Sequence, residues 1–275
     1  MTTQAQRGEA FASLHHGPGV LVLPNPWDAG SAKMLAHLGF HALATTSAGL
    51  AFALGRRDAE GNVSRDEALV NAREIVDATP LPVAADLENG YGDHPEDCAA
   101  TIRAAAAVGL VGGSIEDASG RPDQPIYPME LAVERIRAAV AAARGLGFPF
   151  TLAARAENYL HGRPDLDDTL RRLVAYAEAG ADVLYAPGLT TREQIHEVVH
   201  AVAPRPVNVL VGSASLKLGL DELAELGVRR VSVGSTLARV ALGAFFQSAE
   251  ALRRGDLEPM SRAMPFDRLN ELFRP

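Results

Sequence analysis

Lysine is almost missing from this chain: among 275 residues only Lys33 and Lys217 occur, so nearly all of the 26 basic residues are arginine. Both lysines fall in segments of helical pattern rather than at the end of a strand. A Schiff-base enzyme needs a lysine aimed into its pocket, and neither position suits that role. Cysteine is scarcer still, since the single Cys98 can form neither an internal disulfide nor a cysteine zinc cluster. Aromatic residues make up 5%, which leaves Ala, Val and Leu to fill the apolar positions. No stretch approaches the ~18 apolar residues of a membrane span. The opening "MTTQAQRGEAFASLHHG" has no signal-peptide pattern. A net charge of −8 without a basic stripe argues against nucleic acid. A soluble, cytoplasmic protein with neither nucleic-acid nor membrane partner is expected.

What is present is alternation. Short apolar or β-branched runs predict strands at 19–25, 41–47, 82–88, 111–117, 150–157, 181–187, 206–212 and 228–235. Helical periodicity fills 64–78, 95–108, 129–146, 165–179, 191–203, 217–226 and 236–254. The first of these opens on Ser64 with Glu67 three residues later, a capping box. "LGF", "VGL", "LGF", "AGAD" and "LGVRR" each close a helix on glycine just before a strand. Strand–helix alternation of this kind predicts a single α/β domain over 1–275, a (β/α)8 TIM-type barrel with an additional C-terminal helix at about 257–274. A doubly wound open sheet would carry a glycine fingerprint after its first strand, and "LPNPWDAGSA" is not one.

In such a barrel the chemistry sits where strands end. Those positions hold Asn25, Asp28, Ser47, Asp86, Glu88, Glu116, Asp117, Arg155, Glu157 and Asn208, with Asp58 on the loop after the second strand. Residues i and i+2 of a strand share a face, so Asp86 and Glu88 are expected side by side, with Glu116 ending the next strand. Converging carboxylates repel unless protonated or holding a cation, and an oxygen-only set suits Mg2+ or Mn2+. Asp117 is expected to cap the turn that follows it. Gly90 beside Tyr91 lets the backbone turn tightly over a ligand. Arg155 suits a substrate carboxylate, with simple pairing to Glu157 or another barrel acid as the alternative. Tyr91, Tyr159 and His161 are candidate proton donors, each with an ordinary packing or rim role as the alternative.

"TTSAGLAFALGRRD", "ADLENGYG", "SIED" and "AARAENY", in this order over roughly 20–235, resemble the isocitrate lyase/phosphoenolpyruvate mutase superfamily. The resemblance implies a Mg2+-dependent barrel acting on a small 2-oxo or 2-hydroxy carboxylic acid through an enolate. Asp86 would bind the metal, with Asp58, Glu88 and Glu116 supporting it mostly through water. Ser47, Ala48 and Gly49 would offer backbone N–H groups to a substrate oxyanion, and Arg155 and Asn208 would contact the substrate, as would Asp86, Gly90 and Tyr91. Asp58, Glu116 and Arg155 are the catalytic candidates. A homodimer or homotetramer with a swapped helix is implied. The family's Lys/Cys/Gly/His loop is absent, because "IEDASGRPDQPIYPMEL" has no Cys, Lys or His, and Pro187 stands where relatives place Glu or His after the sixth strand. Cleavage of a carbon–carbon bond, by retro-aldol or decarboxylation, is the expected activity. A C–P bond hydrolase and a non-catalytic 2-oxo acid binder are the alternatives. Two further motifs have plain readings beside sharper ones: "HEVVH" (196–200) matches a zinc-protease pattern but is expected on an outer helix with both histidines towards solvent, and "VGSTLARV" (233–240) opens the last helix either as a phosphate site or by ordinary capping from Ser235.

Overall fold

The computed structural model describes residues 2–212 and 216–274. Eight parallel strands follow one another: β1 (Leu21–Leu23), β2 (Leu43–Ala44), β3 (Val83–Asp86), β4 (Gly112–Glu116), β5 (Thr151–Arg155), β6 (Val183–Tyr185), β7 (Val207–Leu210) and β8 (Arg230–Ser232). Each pairs with the next from β2 to β8, and β8 pairs back onto β1. The last seam, between β1 and β2, is closed by the Ala44 N–H donating to Pro24 O at 3.1 Å. The Asn25 amide reinforces it by donating to the Ala44 and Thr45 carbonyls. This is the eight-stranded barrel that the alternation predicts.

Around it run α1 (Gln4–Leu14), α2 (Ala29–His37), α3 (Ser47–Ala53), α4 (Arg65–Asp77), α5 (Pro95–Ala107), α6 (Met129–Arg144), α7 (Leu166–Glu178), α8 (Arg192–Val202), α9 (Leu220–Glu225), α10 (Thr236–Arg253) and α11 (Phe266–Leu272). The Ser64–Glu67 capping box starts α4 as expected. All five predicted closing glycines, Gly39, Gly109, Gly147, Gly180 and Gly227, have φ between 75° and 102°. That left-handed conformation is what releases each helix into the following strand.

Helix α1 plugs the end of the barrel opposite the strand termini. Phe11 is fully buried among Leu21, Leu23, Ala42, Ala84 and Val111. A Cβ on Gly112 would come within 2.7 Å of the Phe11 ring, so the plug requires glycine there. The C-terminal extension is not one helix. It is a 3-10 turn (Glu258–Arg262) followed by α11, which starts after Pro265. Proline restricts the residue before it to extended backbone, which breaks the run.

Helix α10 departs from its neighbours. Only Ala238 and Ala251 are buried along its length, while Val240, Phe245 and Phe246 are 64%, 72% and 63% exposed. On α8 the buried residues are Ile195, Val198 and Val202. His196 and His200 face water with their rings stacked 6.3 Å apart, as the plain reading of "HEVVH" requires. No helix among the described residues is long and apolar enough to cross a membrane.

Candidate active site

One guanidinium organises the strand ends. From the end of β5, Arg155 donates through Nη1 to Asp86 Oδ1 at 2.9 Å and lies 3.1 Å from Glu116 Oε2. Its Nε donates to Glu157 Oε1 at 2.8 Å. The parallel register explains part of this, because Glu116 and Arg155 are paired across β4 and β5. Asp86 accepts on its other oxygen from Ser47 Oγ at 2.8 Å and from the Ser47 N–H at 3.3 Å. Ser47, Ala48 and Gly49 form the first turn of α3 rather than a free turn, with Thr46 Oγ1 capping the Gly49 N–H at 3.2 Å.

Asp86 and Glu88 do not share a strand face, contrary to the sequence reading. β3 stops at Asp86, and Glu88 has φ 46°, so the chain has already turned. Gly90 continues the turn at φ 82°, and a Cβ there would press to 2.9 Å from Cys98 Sγ. Gly90 therefore packs against α5. The expected neighbourhood of carboxylates forms all the same. Burial, then Asp86 and Asp58, pushes the Glu88 carboxyl up to about 7. Burial and then Asp86 also raise Asp58. Glu116 is raised well above the usual range, chiefly by burial against the opposing pull of Arg155. Arg155 moves upward because Glu116, Glu157 and Asp86 outweigh the burial that would lower it.

Asp58, Asp86, Glu88, Glu116 and Glu157 thus surround a single arginine, leaving negative charge uncompensated when all are ionised. Among the described residues no three His, Cys, Asp or Glu side chains are arranged to hold an ion directly. An oxygen-only set with excess negative charge and few direct ligands fits Mg2+, which retains several waters.

Two cavities meet at this cluster. The first, about 210 Å3, is lined by Ser47, Ala48, Asp58, Asp86 and Arg155 and continues down the barrel axis past Asn208 to Arg230. The small residues Ala44, Ala84 and Ser114 leave that space open. The second, about 760 Å3, lies under the loops at 59–66 and 118–120 and is lined by Glu88, Glu116, Tyr91 and His161. Tyr91 has φ 60°, and its hydroxyl is buried without a partner among the described residues. Burial, and then Glu88, keeps it protonated by raising its pKa. His161 is shifted the other way, chiefly by burial. Tyr159 is tied through its hydroxyl to Gln194 Nε2 at 3.3 Å and lines neither cavity.

Other expectations change role. Asp117 does not cap a turn with its side chain. It is 3% exposed and accepts from Tyr176 Oη at 2.6 Å, Arg172 Nη1 at 3.0 Å and the Glu157 N–H at 2.8 Å, fixing the loop after β5 to α7. Asn208 lines the first cavity, yet both ends of its amide are engaged by neighbours, Ser232 and Arg230. Ser235 makes no side-chain cap on α10. The Val233 and Gly234 N–H groups donate instead to Asn25 Oδ1, both at 2.9 Å. Asp28 caps α2.

Sequence reasoning missed Arg135. Buried on α6, it donates to the carbonyls of Gly92 and Asn89 and lies 4.2 Å over the Tyr127 ring, so it holds the "ENGYG" loop in place. Its signal was an arginine on the apolar face shared by Ala132, Ile136 and Ala139.

Acids and an arginine gathered at the C-terminal strand ends of a closed parallel barrel mark the chain as an enzyme of the β/α-barrel class. Residues 11–253 match the phosphoenolpyruvate phosphomutase family, and the chain belongs to that family within the isocitrate lyase/phosphoenolpyruvate mutase superfamily. It is 57% identical to a protein of Burkholderia cenocepacia J2315 described as a lyase/mutase, with a TM-score of 0.96 over 99% of this chain and 97% of that one. The 2-methylisocitrate lyase of Escherichia coli K12 is 30% identical over 224 residues, 78% of this chain and 74% of the enzyme. A crystal structure of oxaloacetate acetylhydrolase with 3,3-difluorooxalacetate is 27% identical, with a TM-score of 0.87 over 99% of this chain and 94% of that one.

Proposed function

We propose that the chain is a Mg2+-dependent lyase that breaks a carbon–carbon bond of a small 2-oxo or 2-hydroxy di- or tricarboxylate. The observation that carries this reading is the gathering of carboxyl groups around Arg155 beside Ser47, more of them than one arginine can pair. The 2-methylisocitrate lyase and oxaloacetate decarboxylase among its relatives act as their names say, and both names fit such a site.

Asp86 would hold the metal, with Asp58, Glu88 and Glu116 ordering its waters. When bound there, the ion would supply charge stabilisation for an enolate oxygen. Arg155, fixed by Glu157, orients a substrate carboxylate in the first cavity. Tyr91, which lines the second cavity with its hydroxyl buried and unpartnered among the described residues, keeps its proton beside the same carboxylates. That arrangement asks little of the missing Cys/Lys/His loop, since loss of CO2 needs no general acid while the bond breaks. It favours decarboxylation over C–P hydrolysis, while retro-aldol cleavage would in addition need a base to take the proton of the substrate hydroxyl.

NMR on protein mixed with Mg2+ and, separately, isocitrate, 2-methylisocitrate, oxaloacetate or phosphonopyruvate tests the reading, each with an EDTA control. A metal-dependent carbon–carbon cleavage product is expected from one of the first three. Product from phosphonopyruvate alone would move the activity to C–P hydrolysis, and clear binding with no product would leave a binder.

The wet apolar face of α10 supports a homo-oligomer in which that helix packs on another copy. Sedimentation is expected to give two or four chains, and Phe245→Asp with Phe246→Asp to give one. A wild-type monomer at micromolar concentration would refute it.

A further inference from the structure

The first cavity ends on a buried cation that the chemistry above does not use. Arg230 is the first residue of β8, is 6% exposed, and lines the same cavity as Asp86. Its Nε donates to Asn208 Oδ1 at 2.9 Å, and Nη1 lies 3.4 Å from His15 Nε2. Both partners are neutral. His15 Nδ1 is 2.8 Å from Phe11 O, and an N–H there leaves Nε2 as a bare acceptor. Burial, and then Arg230 itself, lowers the His15 pKa to about 3. Among the described residues no carboxylate pairs with Arg230. Burial lowers the Arg230 pKa to about 10, with Tyr185 opposing that shift and Arg155 adding to it.

A guanidinium out of water with no counter-charge is costly, and it retains donors for an acceptor in the cavity. The surroundings are built to hold it still. Asn208 fixes Nε while its own Nδ2 donates to Ser232 Oγ at 2.9 Å, and Ser232 is in turn hydrogen-bonded to the Tyr185 hydroxyl. The Asp86–Arg155 cluster lines the same continuous cavity.

We propose that Arg230 forms an anion subsite in the barrel axis that receives a carboxylate the mouth of the pocket does not hold. The shared chemistry is that of an oxyanion. It comes either from the second carboxylate of a dicarboxylate bound at Asp86 and Arg155, or from a free inorganic anion. The first source rests on the reading of the mouth as a 2-oxo or 2-hydroxy acid site. The second does not.

Malate and lactate share the 2-hydroxy acid end and differ by one carboxylate, so calorimetry with each in Mg2+ isolates the subsite. Wild type is expected to bind malate at least about tenfold more tightly, the scale of a hydrogen-bonded charge. Arg230→Gln should remove that preference by weakening malate alone, with lactate unchanged, and Arg230→Lys should fall between. If phosphate without Mg2+ raises the melting temperature of wild type but not of Arg230→Gln, the anion is free and inorganic. A folded Arg230→Gln that keeps the full malate preference overturns the proposal, as does a wild type with neither preference nor phosphate response. Should the variants fail to fold, a wild-type crystal grown with malate and Mg2+ decides, by the presence or absence of a carboxylate on Arg230. If neither acid binds, the reading of the mouth has failed and the phosphate arm alone decides. Turnover plays no part in these readouts. The malate preference without product removes the lyase reading and leaves the subsite, while product without the preference or a phosphate response removes the subsite alone.

Discussion

Replacing Asp86 by alanine is expected to remove Mg2+-dependent turnover by ~10^3-fold or more, the scale of losing a group that acts on developing charge. The fold should survive, because Asp86 sits at a strand end and Arg155 keeps Glu116 and Glu157 as partners. Calorimetry then shows whether Mg2+ binding has gone with activity. The same titration on wild type carries a pH sign. In the metal-free protein Glu88 holds its proton up to about 7, whereas an ordinary glutamate loses it near 4.5. Metal binding requires the ionised form, so Mg2+ displaces a proton and its affinity rises between pH 5.5 and 7, by at most about tenfold per pH unit, then levels. Linkage runs in the matching direction for stability. The folded pKa is raised, so the contribution of Glu88 is present below 4.5 and is lost as pH rises through about 7. The metal-free protein therefore loses stability across that window and Mg2+ restores it. Unchanged Mg2+ affinity in Asp86→Ala would show that the metal assignment is wrong.

The second large effect is expected away from the reacting atoms. Asp117→Ala leaves the Tyr176 hydroxyl and the Glu157 N–H without their acceptor and strips one carboxylate from Arg172, all in a buried site. Breaking a buried, hydrogen-bonded ion pair costs about 3–5 kcal/mol, which urea denaturation reads directly. Arg172 retains Asp168 at 2.7 Å, which places the expected loss toward the lower end. Glu157 orients Arg155, so catalytic activity should fall as well, even where enough protein stays folded to assay. A loss below about 1 kcal/mol would mean that the network is ornamental to the fold.

The barrel was legible because its signals are local. Helical period, the Ser64–Glu67 box and the glycines that close five helices all act within a few residues, and each recurs in the structure. Strand limits were less so, since a ladder stops where the partner strand stops. β3 ends at Asp86, and the left-handed turn at Glu88 cancels a face argument that assumes continued strand. The convergence of Asp58, Glu88 and Glu116 around Asp86 was nevertheless anticipated, because it depends on which strand ends lie at the mouth rather than on exact dihedral angles. Asp117 shows what a linear reading cannot supply. Its partners Arg172 and Tyr176 lie 55 and 59 residues away on α7, and no capping rule points to them. Arg230 is harder still, because what distinguishes it is the want of a carboxylate nearby. Only the assembled interior reveals that.

Helix α10 has a consequence for the chain as a material. Two phenylalanines side by side in water, with valine and leucines along the same helix, lower solubility as well as offering a surface for a partner. Matched by another copy, such a helix is a joint. Left bare by dilution or by truncation of the partner's helix, it becomes an adhesive with no preferred orientation. The same side chains would then decide between a soluble assembly and a precipitate, and the concentration at which one gives way to the other is a property of the assembly rather than of the barrel.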